Sequence, residues 1–207
     1  AAAALDRLRS GREQSVSVDM RHAAAEFRSE RYLRVDGGPA PELWDSIAGT
    51  YRCGDGRWVR LHTNFPHHHE GVLAILGCAG EREAVAEALK GWRAEDFEQK
   101  AAAAKLVVTA MRSFAEWDAH PQGQAVAALP LMSLEKTGEA PPLMLPSGDR
   151  PLSGVRVLDL TRIIAGPVGG RTLAAHGADV LLVTAPHLPS VEPLVIDTGR
   201  GKLSAQL

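Results

Sequence analysis

The residues best placed to meet a ligand lie in one short stretch, Thr161-Arg162-Ile163-Ile164-Ala165-Gly166-Pro167. It joins an apolar run, Val155 to Leu160, to a helix-forming segment, Gly166 to His176. A helix opening there leaves its first N–H groups without intrahelical partners, and such groups favour phosphate or another anion. Gly166 lets a ligand approach the backbone, and Pro167 suits the first helical position, where a missing N–H costs nothing. The spacing of Gly166, Gly169 and Gly170 is not that of a dinucleotide fingerprint. Thr184 stands where that fingerprint wants an acidic residue for the ribose, and no Walker A pattern occurs. NAD and ATP are therefore disfavoured.

Two other groups invite a chemical reading. His62, His67, His68, His69 and Glu70 are rich in ligand atoms, but three consecutive histidines cannot all point one way on a helix or strand. They read as the solvated start of a helix after Pro66, and no metal site is expected. Cys53 and Cys78 are 25 residues apart with no CxxC spacing, which points to a reducing, cytoplasmic setting without a zinc framework.

Composition bounds the remaining possibilities. The chain has 207 residues, 45% hydrophobic and 23% charged, with a net charge of −2 and both signs mixed. Those are the proportions of a soluble globular protein, with no electrostatic footprint for nucleic acid. No apolar run reaches the roughly 18 residues that span a bilayer, so no membrane partner is expected. The start, Ala1 to Arg7, lacks both an initiator Met and a signal-peptide pattern, and the chain reads as a fragment.

These residues imply a definite order of elements. Ala1 to Arg9 is helical and stops at Ser10-Gly11. Gln14 to Asp19 alternates like a short half-buried strand, and Met20 to Leu33 is a helix with Asp19 as its N-cap. A turn-rich linker occupies 36 to 45. Residues 49 to 61 form a hairpin around Gly54-Asp55-Gly56. Residues 67 to 127 are mainly helical, with Trp92, Phe97, Phe114 and Trp117 as core anchors. A proline-rich linker covers 128 to 150. Val155–Leu160, Gly166–His176 and Ala178–Val183 then make a βαβ unit with parallel strands.

The segment from Pro151 to Pro167, continued by Leu173 to Val180 and by Gly199-Arg200-Gly201-Lys202-Leu203-Ser204, resembles the opening of the family III CoA transferases. Formyl-CoA transferase, carnitine CoA-transferase and α-methylacyl-CoA racemase belong to that family. Arg9 to Val18, the hairpin Gly49 to Val59, and Glu116-Trp117 with His120-Pro121 are similar to later parts of the same family. The tail of one copy thus precedes the head of another, as in the middle section of a tandem or fused protein.

The resemblance implies an α/β fold: a Rossmann-like parallel sheet supplied by both ends of the chain, with a smaller, mainly helical insert. It divides the chain into the end of a first large domain (1–35), a small domain (36–127), a linker (128–150) and the start of a second large domain (151–207). It implies transfer of CoA between carboxylic acids through an aspartyl-CoA anhydride, with a racemase or a non-catalytic assembly segment as alternatives. The nucleophilic Asp would lie outside the chain, because Asp6 is on the wrong side of the Ser10-Gly11 helix end. No catalytic residue and no metal ligand are assigned. Coenzyme A is the expected ligand, contacted by Ile164, Ala165, Lys202 and Leu207, with His187 or Arg200 as further sources of charge. The partners implied are an acyl-CoA, a carboxylic acid and a second subunit.

Overall fold

A computed structural model describes residues 1–39, 42–142, 144 and 146–207. Ala40 and Pro41 of the first expected linker, and Leu143 and Leu145 of the second, lie outside the described residues. The chain forms two compact units, Trp44–Glu139 and the combination of Ala1–Leu43 with Ala140–Leu207.

The alanine-rich start forms α1 (Ala2–Ser10), which ends where Gly11 takes a left-handed φ of 71° and donates its N–H to the Arg7 carbonyl. The strand expected at Gln14 to Asp19 is absent: no described strand pairs with it, and Val16 and Val18 are exposed. Alternation marks a segment that can pair, but a ladder needs a partner to satisfy its backbone groups. Asp19 does cap α2 (Met20–Phe27), accepting from the His22 N–H at 2.9 Å. The helix then breaks at Arg28, with φ −129°, and resumes as α3 (Ser29–Tyr32).

In the middle unit, β1 (Gly49–Arg52) and β2 (Trp58–Leu61) make the expected antiparallel hairpin, with Gly56 at φ 79° in its turn. Next come α4 (Pro66–Leu76), α5 (Arg82–Leu89), α6 (Ala94–Ala103), β3 (Val108–Ala110), α7 (Phe114–Ala119) and α8 (Pro121–Ala127). Strand β3 adds to β2 and was hidden in a region that reads as helical, because three residues carry too little alternation to register. The core gathers Ile47, Val59, Leu61, Val72, Val85 and Phe97. Trp92 packs edge-on against Phe97 at 5.3 Å between ring centroids. Phe114 and Trp117 are not core anchors, since Phe114 is 91% exposed and Trp117 41%. They stand on α7, whose start is fixed by a Ser113–Glu116 capping box and not by burial. The histidine run does open α4, but His69 is partly buried and paired with Asp45 at 2.9 Å.

The last stretch gives β4 (Arg156–Asp159), α9 (Ala165–Ala175), β5 (Asp179–Thr184), α10 (Glu192–Gly199) and β6 (Lys202–Gln206). The strands are parallel, in the order β4-β5-β6, so the fold is α/β with two successive crossovers. All three strands come from residues 156 to 206; the N-terminal segment contributes helices only, and the sheet is not shared between the chain ends as expected. Lys202 to Ser204, expected to precede a strand, form one. Crossovers of one hand stepping in one direction put both helices on the same face, and α9 packs on α10. Val157, Asp159, Val180, Leu182 and Lys202 alternate with the exposed Arg156, Leu158, Asp179, Leu181 and Leu203.

Phe97→Ala should destabilise the 44–139 unit by about 3–5 kcal/mol, the usual cost of emptying a buried aromatic site. Urea unfolding monitored by amide exchange should show that loss confined to this unit.

Candidate functional site

The carboxyl ends of parallel strands are where such folds hold ligands, so the site is built from the β4–α9 connection outward. Asp159 ends β4 with its side chain turned under α9, where the residue is 4% exposed. One carboxylate oxygen accepts from the Thr161 N–H at 2.9 Å and the Thr161 hydroxyl at 2.5 Å. The other accepts from Lys202 Nζ at 2.8 Å, and Lys202 also donates to the Pro167 carbonyl at 2.8 Å. Burial pushes the Asp159 carboxyl up, but the Lys202 ammonium and the Thr161 donors more than offset it and hold it below its ordinary range.

Two glycines make this arrangement possible. A side chain at Gly170 would fall 2.9 Å from Lys202 Nζ and closer still to Asp159. A side chain at Gly166 would collide with Thr161. Gly166 therefore makes room for Thr161 and not for a ligand, which corrects its first reading. Helix α9 starts at Ala165, so Pro167 is its third residue instead of its first; its missing N–H is still one that a helix start leaves unpaired.

Between strand and helix, Ile163 adopts φ 75°. For a β-branched residue that is a strained conformation, costing about 1–3 kcal/mol, and it must be held by its surroundings. Ile163 lies against Leu182, Leu194 and Val195 around a gap of about 50 Å³. The Ile164 carbonyl accepts the first helical bond from the Val168 N–H at 2.8 Å, leaving the Ala165 and Gly166 N–H groups outside the ladder.

Ile164 and Ala165 line a cavity of about 430 Å³. Phe27, Val168 and Leu194 supply further apolar wall, while Glu26, Ser29, Glu30 and Asp197 supply the polar part. Arg171, 7% exposed, ties that polar wall together: it binds Asp197 at 2.8 Å, the Ser29 hydroxyl at 3.1 Å, and Glu26. Arg200 takes the second Asp197 oxygen at 2.6 Å. Asp197 is thus neutralised inside the protein, and Glu26 is paired at its surface.

Of the expected contact residues, only Ile164 and Ala165 come together at this cavity. Lys202, its side chain 1% exposed, is committed beneath α9. Leu207 extends the sheet through its N–H to the Thr184 carbonyl at 3.0 Å, with its side chain 87% exposed. His187 is exposed in the loop after β5. Asp6 is 6% exposed and accepts hydrogen bonds from Gln14 and Ser10. Sequence reasoning missed Glu26, Ser29, Arg171 and Asp197; the available signal was charge at helix positions that also had to pack. Among the described residues, no cluster of His, Cys, Asp and Glu could hold a metal ion, and no helix is long and apolar enough to cross a membrane.

The sequence profile of CoA-transferase family III matches residues 1–145 and 152–193. The chain belongs to this family. It is 26% identical over 217 residues to an acyl-CoA transferase of Gibberella moniliformis, an alignment covering 87% of the chain and 38% of that protein. It is 46% identical over 61 residues to an acetyl-coenzyme A transferase of Hypoxylon pulicicidum, covering 30% and 10%. It is 50% identical over 43 residues to the succinate–glutarate CoA-transferase of Agrobacterium fabrum, covering 21% and 11%. The chain thus spans well under half the length of these relatives.

Lys202→Met should cost about 3–5 kcal/mol, because it leaves the Asp159 carboxylate buried and unpaired. The pair also sets an acid limit. A carboxyl held below its ordinary value adds stability that is complete above the unfolded pKa of about 3.9 and disappears as pH falls through the folded value. Denaturant titrations from pH 7 down to about pH 2 should show this acid-dependent part in the parent protein and not in Asp159→Asn.

Proposed function

We propose that this chain forms the CoA-binding part of a family III CoA-transferase, which moves CoA between carboxylic acids. The observation that carries the reading is the cavity at the start of α9, floored by Ile164 and Ala165, the pair that the family resemblance assigns to the pantetheine path. Its walls are largely apolar and its acids are already paired, so it suits the uncharged, amide-bearing arm of CoA better than the phosphates. The Ala165 and Gly166 N–H groups offer donors to an amide carbonyl or a phosphate at its edge. Lys202 serves the ligand indirectly, by holding the Pro167 carbonyl and so the turn. Leu207 lies at the carboxyl edge of the sheet, on the side where the adenine would rest.

In the reaction, a carboxylate attacks the thioester carbonyl and the CoA thiolate leaves, giving an acyl–aspartyl anhydride. The thiolate then attacks the aspartyl carbonyl and expels the acid, leaving aspartyl-CoA for the acceptor carboxylate. The nucleophile is supplied from outside this chain; Asp6 is engaged by its own helix and its neighbours. The names of the three relatives, all CoA or acyl-CoA transferases, favour transfer over racemisation. Two matched stretches of one family profile in a single chain support the tandem or fused arrangement. We place the protein in the cytoplasm: both cysteines are free, and burial, with Asp55 adding to it, pushes the Cys53 thiol up to about 11.

Calorimetry should detect CoA binding by the purified chain, with pantetheine competing for the same site. Ala165→Trp should abolish binding by filling the cavity without disturbing the fold read by circular dichroism. Binding of CoA by that variant as tightly as by the parent chain overturns the assignment of the site. CoA-transferase assays with this chain alone should give no turnover above background, because no nucleophile is present.

A further inference from the structure

We propose that the histidines at the start of α4 form an acid-sensitive latch: protons taken up as pH falls below neutrality open the first turn of that helix. The turn is weakly secured. Its N-cap is Phe65, which offers no side-chain acceptor, and no acidic residue stands in the first turn. The His68 and His69 N–H groups hold it by donating to one carbonyl, that of Phe65, at 2.9 and 3.0 Å. Positive charge at this end opposes the helix dipole.

Three imidazoles meet here. His67 and His68 lie 4.1 Å apart between ring centroids, with the Phe65 ring 5.9 and 5.6 Å from them. His62 arrives from the end of β2, its N–H donated to the Val107 carbonyl at 3.0 Å. The Nδ1 atoms of His62 and His68 are buried, and neither has a hydrogen-bond partner among the described residues. A proton on either one would be a half-buried charge without an acceptor, beside other imidazoles. The surroundings supply no counter-charge. Asp45 is committed to Thr63 at 2.6 Å and to His69 at 2.9 Å. Glu70 is exposed and forms no ion pair with His67, three residues before it, among the described residues. Arg60 lies over Trp44 at 5.0 Å, and Trp44 is edge-on to His62 at 5.7 Å, so this side brings a further cation. On the other flank Leu106 lies against Gly71, and Lys105 before it is exposed.

Burial, with His67 and His62 adding to it, pushes the His68 imidazole below its ordinary value. The folded turn therefore binds that proton less tightly than the opened one. Its stability is complete above the unfolded value of about 6.5 and is lost as pH falls through that value toward the folded one. Asp45 does not titrate in this window. Burial pushes its carboxyl up, but Thr63, His69 and the Ile47 N–H more than offset it and hold it below its ordinary range. The Asp45–His69 bond thus anchors α4 just beyond the turn that opens.

The latch belongs to the middle unit alone, and its test involves no CoA. NMR titration of the whole chain should place the His68 midpoint below the ordinary histidine value, and His67→Gln should move it upward. Amide exchange, corrected for its intrinsic pH dependence, should show protection of the His69 N–H falling about threefold or more between about pH 7.5 and pH 5.5. His68→Phe, which keeps a flat ring in place, should remove most of that dependence. A His68 midpoint at or above about 6.5, protection that does not change with pH, or His68→Phe behaving as the parent chain does overturns the proposal. His67 is exposed, so His67→Gln reads the cluster even if the half-buried substitution disturbs the fold. A midpoint that stays in place in that variant overturns the cluster as its cause.

Discussion

A single buried ion pair organises the C-terminal half of the larger unit. Lys202 reaches from the start of β6, beneath α9, to the carboxylate that ends β4, and its second bond goes to a carbonyl in the first turn of that helix. One ammonium thereby joins a strand, the next-but-one strand and the helix between them. Burying both charges is costly unless their remaining hydrogen bonds are made, and Thr161 makes them for the carboxylate. The demand for space around the pair explains Gly170, and the demand for space around Thr161 explains Gly166. Once these groups are fixed, the chain leaving β4 has little freedom before α9 begins, and Ile163 absorbs the turn in a conformation its side chain opposes.

A second network, centred on Arg171, does for the N-terminal helices what Lys202 does for the sheet. Its guanidinium joins α9 to α10 through Asp197, and to α2 and α3 through Glu26 and Ser29. Arg9 adds a further tie from α1 to the Pro146 and Ser153 carbonyls. The cavity at Ile164 and Ala165 exists because these helices roof it, so its shape depends on residues far away in the chain.

How much of this was legible in the sequence depended on whether the signal was local. The βαβ segment was, because two apolar runs separated by one helix length can form little else in a parallel sheet. The hairpin was, because Gly56 marks its turn, and so was the Asp19 cap. The alternating Gln14 to Asp19 segment misled, since alternation cannot say whether a partner strand is present. The aromatic residues of α7 misled as well, because a six-residue helix has too little pattern to separate a buried face from an exposed one. At the candidate site, Ile164 and Ala165 were singled out by the family resemblance and line the cavity at the start of α9. The role of Lys202 was not legible, because a lysine in a strand carries no sign that its charge is to be buried. The acids and arginine of the cavity wall were invisible for a related reason: their partners lie up to 145 positions away.

That separation bears on the order in which the protein can be assembled during synthesis. The middle unit is contiguous from Trp44 to Glu139, so it can complete its own core as soon as it leaves the ribosome. Helices α1 to α3 emerge earlier but must wait, since Arg171 and Asp197 are not yet made when Glu26 and Ser29 appear. Until then the Glu26 carboxylate and the Ser29 hydroxyl lack the arginine that ties α2 and α3 to the rest of the unit. Of the elements in this chain, these helices are therefore among the last to be secured, once translation reaches α10.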